Sequence, residues 1–121
     1  MIAYVTLGTN DLARAAKFYD ELLKDLGAGR AMEADRYVFW ASGAGSPMLS
    51  LMKPFDGQPA TVGNGTMVSF AAGSNAKVDA LYAKAISLGA KDEGAPGNRG
   101  GTFYLGYCRD LDGNKLAFFH M

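Results

Sequence analysis

Asp110-Leu-Asp-Gly-Asn-Lys-Leu-Ala-Phe-Phe-His-Met121 is the stretch whose reading decides the fold. Asp112-Gly113-Asn114 has the chemistry of a tight turn, because Gly and Asn tolerate positive φ and Asp bonds its own backbone. Residues 115–121 then alternate and are rich in aromatic and large apolar side chains, as a half-buried strand is. Leu116 and Phe118 fall on one side of that strand; Lys115, Ala117 and Phe119 fall on the other.

Upstream, residues 102–109 form a second strand, and residues 94–101 (Gly-Ala-Pro-Gly-Asn-Arg-Gly-Gly) read as a flexible loop. Arg99 in that loop could cover a cavity or contact an anion, although ordinary loop chemistry is the simpler reading. A weak strand is expected near residues 90–93. Val78, Leu81, Tyr82, Ala85 and Leu88 make an amphipathic helical stripe with Ser74 as its N-cap and Gly89 at its end. A strand at residues 65–71 precedes it. Residues 54–64 carry two prolines and two glycines without periodicity, and so connect two halves.

The first half repeats the pattern. Residues 2–7 have strand composition, and Thr9-Asn10-Asp11 starts a helix, with Asn10 expected at the N-cap and Asp11 in the first turn. Leu12, Ala15, Ala16, Tyr19, Leu22, Leu23 and Leu26 form its apolar stripe, and Gly27 ends it. Strands follow at residues 30–34, 36–41 and 47–53. The repeat is also visible in residues. Val5-Thr6-Leu7 answers Val68-Ser69-Phe70 and Phe18-Tyr19 answers Leu81-Tyr82, each 63 positions on. Leu26-Gly27-Ala28 answers Leu88-Gly89-Ala90 after 62 positions, and Met48 to Leu51 stands where Lys115 to Phe118 stands. The chain is therefore expected to be α+β: one domain over residues 1–121, built from tandem β-α-β-β-β modules at 1–56 and 63–121.

Composition narrows the partners. The 121 residues are 49% apolar and 20% charged, and twelve acids balance twelve bases. A net charge of zero without a basic block argues against nucleic acid or an anionic membrane as the main partner. No apolar run is long enough to span a bilayer and no signal-peptide pattern occurs. The single Cys108 allows no internal disulfide and reads as an inert strand thiol, so a cytoplasmic location is expected.

Strict alternation assigns the faces of the first and last strands of each half. Val5, Leu7, Leu49, Leu51, Val68, Phe70, Leu116 and Phe118 are all apolar and belong under the helices. The opposite face collects Tyr4, Thr6, Met48, Ser50, Met52, Met67, Ser69, Lys115, Ala117 and Phe119. Such a mixture suits a ligand cavity, which is mostly apolar with a few orienting polar groups; a subunit contact and open solvent are the other readings. The lone His120 falls on the helix side, one residue from the end. Alternation does not fix the faces of Trp40, Tyr104 and Tyr107, although one of the two tyrosines must face the cavity side.

Tyr4-Val-Thr-Leu-Gly-Thr-Asn-Asp-Leu12, Gly63-Asn-Gly-Thr-Met-Val-Ser-Phe70 and Arg109-Asp-Leu-Asp-Gly-Asn-Lys-Leu116 resemble the vicinal-oxygen-chelate superfamily. That group includes glyoxalase I, extradiol dioxygenases, fosfomycin-resistance enzymes and bleomycin-binding resistance proteins. The resemblance implies paired modules whose curled mixed sheets surround a cavity, commonly as a homodimer. In metal-dependent members the cavity ion is held by histidines and carboxylates whose positions fall here on Tyr4, Met67, Ala117 and, with a looser alignment, Ser50. None of these supplies imidazole or carboxylate. The expectation is a metal-free, cofactor-free member that binds a small, partly apolar molecule, by analogy with the bleomycin-binding proteins. Two other readings stay open. One is a metal-independent lyase or isomerase using Tyr4, Ser50 or Lys115 for acid-base work. The other is a structural or regulatory dimer with a vestigial cavity.

Overall fold

The computed structural model describes all residues, 1–121. They form two compact units, Met1–Thr61 and Val62–Met121.

In the first unit, β1 (Tyr4–Gly8) leads into α1 (Leu12–Lys24), followed by β2 (Gly29–Ala34), β3 (Tyr37–Ala41) and β4 (Met48–Met52). The sheet order is β1-β4-β3-β2, with β1 parallel to β4 and the other pairs antiparallel. The helix begins one residue later than the sequence suggests. Asp11, not Asn10, is the N-cap, and its carboxylate accepts the Arg14 amide at 3.1 Å. Asn10 is occupied elsewhere: its side chain accepts the Ala60 amide at 2.7 Å and donates to the Ala60 carbonyl at 3.2 Å. Those two bonds tie the end of the unit to the β1–α1 corner. There a Cβ on Gly8 would meet the Ala60 side chain at 3.1 Å, so a larger residue would push Ala60 back by a few tenths of an ångström.

Helix α1 buries Ala15, Ala16, Phe18, Tyr19, Leu22 and Leu23, and packs on β2, β3 and β4. Each large apolar side chain buried there contributes about 1.5–3 kcal/mol. Gly27, at φ 73°, ends the helix, and the Ala28 amide reaches back to the Leu23 carbonyl at 3.0 Å. Trp40 points to this helix side. It is buried, and its indole N–H donates to Asp20 at 2.9 Å while Arg30 clamps the same carboxylate through two hydrogen bonds.

The second unit repeats this plan. β5 (Val68–Ala71), α2 (Asn75–Ser87), β6 (Lys91–Asn98), β7 (Tyr104–Arg109) and β8 (Lys115–His120) give sheet order β5-β8-β7-β6, with β5 parallel to β8. Ser74 caps α2 by accepting the Lys77 amide at 3.1 Å. Tyr82, Tyr104 and His120 fasten the helix to its sheet through Asp92, Asp79 and Asn75, at 2.7, 2.7 and 2.9 Å. Thus Tyr104 and His120 lie on the helix side, and Tyr107 lies on the other.

Two sequence expectations are corrected here. Most of the Gly94–Gly101 stretch is not a loop, because β6 runs through it to Asn98. Register shifts at Asp92/Gly94 and Gly94/Gly97 absorb the glycines and Pro96, and an edge strand tolerates a proline. The strand expected at residues 65–71 starts only at Val68. Gly65, at φ 91°, and the Thr66 amide on the Gly63 carbonyl make a turn before it. Met67 therefore lies outside the ladder and is 42% exposed, so strand parity does not assign it a face.

The quoted terminal turn is built around Asp110. Its Oδ1 accepts the amides of Asp112 and Asn114, each at 2.9 Å, and its Oδ2 accepts the Asn114 side-chain amide at 3.0 Å. Gly113, at φ 91°, donates its amide to the Asp110 carbonyl, which closes the turn into β8.

Candidate functional site

The candidate positions lie on the sheet faces turned away from the helices, and each unit presents its own face. In the first unit, pairing register places Tyr4, Thr6 and Gly8 beside Met48, Ser50 and Met52, and these beside Tyr37 and Phe39 of β3. Thr6 and Ser50 share a hydrogen bond of 3.1 Å. Ser50 is fully buried, whereas Thr6 is exposed. Around this hydroxyl pair, Phe39 takes Tyr4 edge-on at 5.1 Å between ring centroids and Tyr37 at 5.3 Å. Both distances are favourable for aromatic pairs.

In the second unit, Ser69, Ala117 and Tyr107 form one row across β5, β8 and β7. Ala117 is fully buried. Lys91, Arg109 and Lys115 form the next row across β6, β7 and β8. The Lys115 ammonium lies 5.3 Å from the Tyr107 ring centroid and the Arg99 guanidinium 5.5 Å from it. Arg109 is ion-paired with Glu93, and this contact holds the Glu93 carboxyl below its usual range. Phe119 and Phe103 pack at 5.8 Å on the far side of the same face.

By pairing register Tyr4, Thr6, Met48, Ser50 and Met52 share one face of the first sheet, and Ser69, Lys115, Ala117 and Phe119 share one face of the second, while Met67 lies outside the ladder. Tyr37, Phe39, Tyr107 and Arg99 join these faces although alternation alone did not place them. Their signal was indirect: strand pairing with Met52, Ser50 and Ala117 fixes the parity of the first three.

The proposed acid-base groups do not form a reacting set within either unit. Ser50 meets a hydroxyl, not an imidazole, amine or carboxylate, so no base activates it there. Tyr4 packs on Phe39, and Lys115 lies over Tyr107. Cys108 is buried and its thiol pKa is pushed up to about 12 by burial and then by Asp110 and Asp92, which removes it as a nucleophile near neutrality.

A resident divalent ion fits these donors poorly. The four implied positions offer a phenol, an alcohol, a thioether and a methyl, and no three His, Cys, Asp or Glu side chains come together to hold a metal.

Comparison with known proteins agrees with this architecture. The sequence matches the Glyoxalase/Bleomycin resistance protein/Dioxygenase superfamily over residues 1–118. A glyoxalase/bleomycin resistance protein from Albidiferax ferrireducens is 41% identical, with TM-score 0.91 over 100% of this chain and 98% of that one. A hypothetical protein from S. aureus is 25% identical, with TM-score 0.77 over 100% of this chain and 93% of the other. A lactoylglutathione lyase from Agrobacterium tumefaciens, 24% identical over 98% and 92% of the two chains, shares the fold at TM-score 0.72. No curated protein matches the sequence. The fold is that of a two-module β-α-β-β-β protein with four-stranded mixed sheets. The chain belongs to the glyoxalase/bleomycin resistance protein/dioxygenase superfamily. No helix is long and apolar enough to cross a membrane.

Proposed function

We propose that this chain is a metal-free member of the superfamily that binds a small, partly apolar molecule against the sheet faces away from its helices. One observation carries the reading: the Thr6–Ser50 hydroxyl pair set among Tyr4, Tyr37 and Phe39, on a face that α1 does not cover. Stacking surface beside one buried polar group is how ligand sites combine affinity with orientation. Met48 and Met52, on the same face, can adapt to ligand shape. Ala117, where the resemblance calls for a carboxylate, supports sequestration over metal-assisted chemistry. A homodimer is the assembly this reading carries with it, and equilibrium sedimentation checks that part.

A thermal-shift screen of small aromatic and mixed-polarity molecules tests the central claim, because a ligand bound only to the native state raises Tm. The expected result is a subset of hits whose effect is lost in Phe39→Ala. A stoichiometric, tightly held divalent ion in freshly purified protein, or no shift across a broad library, would overturn the reading.

A further inference from the structure

We infer that Arg99 and Lys115, converging on the ring of Tyr107, form a subsite for an oxyanion, so that the ligand bears a carboxylate or phosphate. This deepens the proposed function and rests on it for the apolar part of the ligand.

The chain as a whole is electrically balanced, with twelve bases and twelve acids, so a local excess of cations is not a by-product of basic composition. The excess here is specific. Lys91, Arg109 and Lys115 are direct cross-strand neighbours, an arrangement that like charges ordinarily disfavour. The acidic groups nearby are largely committed. Glu93 feels Lys115 and Lys91, but its ion pair is with Arg109. Asp92 accepts the Tyr82 hydroxyl and the Gly94 amide, and Asp110 holds the terminal turn. Arg99 and Lys115 are left without an ion pair; the Arg99 guanidinium donates only to the Ala95 carbonyl.

The local structure holds these two cations over one ring. Gly94 and Ala117 flank Tyr107 across the strands, so little side chain stands beside it. A Cβ on Gly94 would meet the Tyr107 ring at 3.2 Å and Arg99 Nη2 at 3.4 Å. The bare glycine therefore leaves room for the Tyr107 ring, with the guanidinium beside it. The backbone at Arg99 is also fixed: its amide donates to the Phe103 carbonyl at 2.8 Å, and Asn98 bonds the Gly100 amide and the Gly101 carbonyl at 2.9 and 2.8 Å. Both cations lie within 5.5 Å of the same ring centroid, and a guanidinium fork and an ammonium are groups that suit a carboxylate or phosphate. Phe119 and Phe103 lie beyond Tyr107 on that face and supply apolar surface for the rest of the molecule.

The test titrates benzoate, phenyl phosphate and the neutral analogue benzamide into isotope-labelled full-length protein, following the amides of Tyr107, Ala117 and Phe119. Both anions are expected to shift these amides, more weakly as salt is added, and benzamide is not. Each of Arg99→Met and Lys115→Met should weaken anion binding roughly tenfold, the loss of one charge-assisted contact. Arg36→Met, which removes a cation stacked on Phe55 in the other unit, should not. Arg99→Lys and Lys115→Arg keep the charge and should retain most of the affinity, which separates loss of the site from loss of the fold. The stronger binder of the two anions assigns phosphate or carboxylate. Benzamide binding as well as benzoate, unchanged anion affinity in folded Met variants, or no response to either anion would each overturn the subsite. Those results would leave the thermal-shift hits, and the proposed function, standing. Conversely, an empty thermal-shift screen with a genuine anion response would sink the broader reading and keep the subsite.

Discussion

Thr6 and Ser50 sit directly opposite one another in the parallel β1–β4 pair, with their hydroxyls 3.1 Å apart. The equivalent partners in the second unit are Ser69 and Ala117, so the duplicated position carries a buried hydroxyl in one unit and a methyl in the other. Ser50→Ala leaves Thr6 free to bond water, because Thr6 is exposed. The expected loss of unfolding free energy is about 1 kcal/mol or less. Ser50→Asp instead puts a carboxylate at a fully buried position with only one hydroxyl partner, at an expected loss of about 3 kcal/mol. Urea denaturation of the two variants measures both. Equal losses would mean that Ser50 is not confined as its burial indicates.

Asp110 is expected to matter more than its surface-turn setting suggests. Its carboxylate satisfies two backbone amides and a side-chain amide, and both Asp110 and Asn114 are buried. Asp110→Ala removes these three bonds from a buried turn, so a loss of about 2–4 kcal/mol is expected by denaturant titration. Asp112→Ala, which keeps the Asp110 bonds, should cost clearly less.

How much of this was legible in the sequence depended on local contrast. The turn at Asp110 to Asn114 and the strand after it were readable, since Gly113 and Asn114 signal the turn and Lys115 and Ala117 interrupt the apolar positions. Tyr37 to Ala41 offered no such contrast. Its residues are nearly all apolar, so alternation could not show that Trp40 faces α1 while Phe39 faces away. That distinction comes from antiparallel pairing, Phe39 with Ser50 and Trp40 with Leu49. β6 was hidden for a different reason. Gly94, Pro96 and Gly97 carry loop propensity, and only pairing with β7, eased by two register shifts, makes a strand of them. The Arg99–Tyr107–Lys115 group inherits both difficulties, because Arg99 directly follows the strand expected to be a loop and Tyr107 had no assigned face.

Acid should weaken the first unit through Asp20. The Arg30 hydrogen bonds hold its carboxyl below the usual aspartate value, Trp40 adds to the effect, and partial burial opposes it. A carboxyl with a lowered folded pKa contributes stability that is present above the unfolded value and lost as pH falls through the folded one. The stability difference between the wild type and Asp20→Asn should therefore be greatest near neutrality and shrink as pH falls through about 4 and below. Urea midpoints across that range read it directly. A difference independent of pH would show that the clamp does not favour the charged form.

Gly94→Ala offers a stability test of the geometry around Tyr107. Gly94 has φ 152°, a conformation that L side chains rarely adopt, and the new methyl would press on the Tyr107 ring at 3.2 Å. Backbone strain and contact together should cost about 1–2 kcal/mol. The methyl would also stand 3.4 Å from Arg99 Nη2, an ordinary contact, so any change at the guanidinium comes through movement of the pressed ring and the strained backbone. Gly97→Ala is the control on the same strand: its φ is not in the left-handed region, and the nearest atom to its added methyl is Arg99 Nη1 at 4.0 Å. It should change stability by less than about 1 kcal/mol. The two variants should part again in the benzoate and phenyl phosphate titrations, with Gly94→Ala weakened and Gly97→Ala close to wild type. If both bind alike, the position of Arg99 over Tyr107 does not govern affinity at this face.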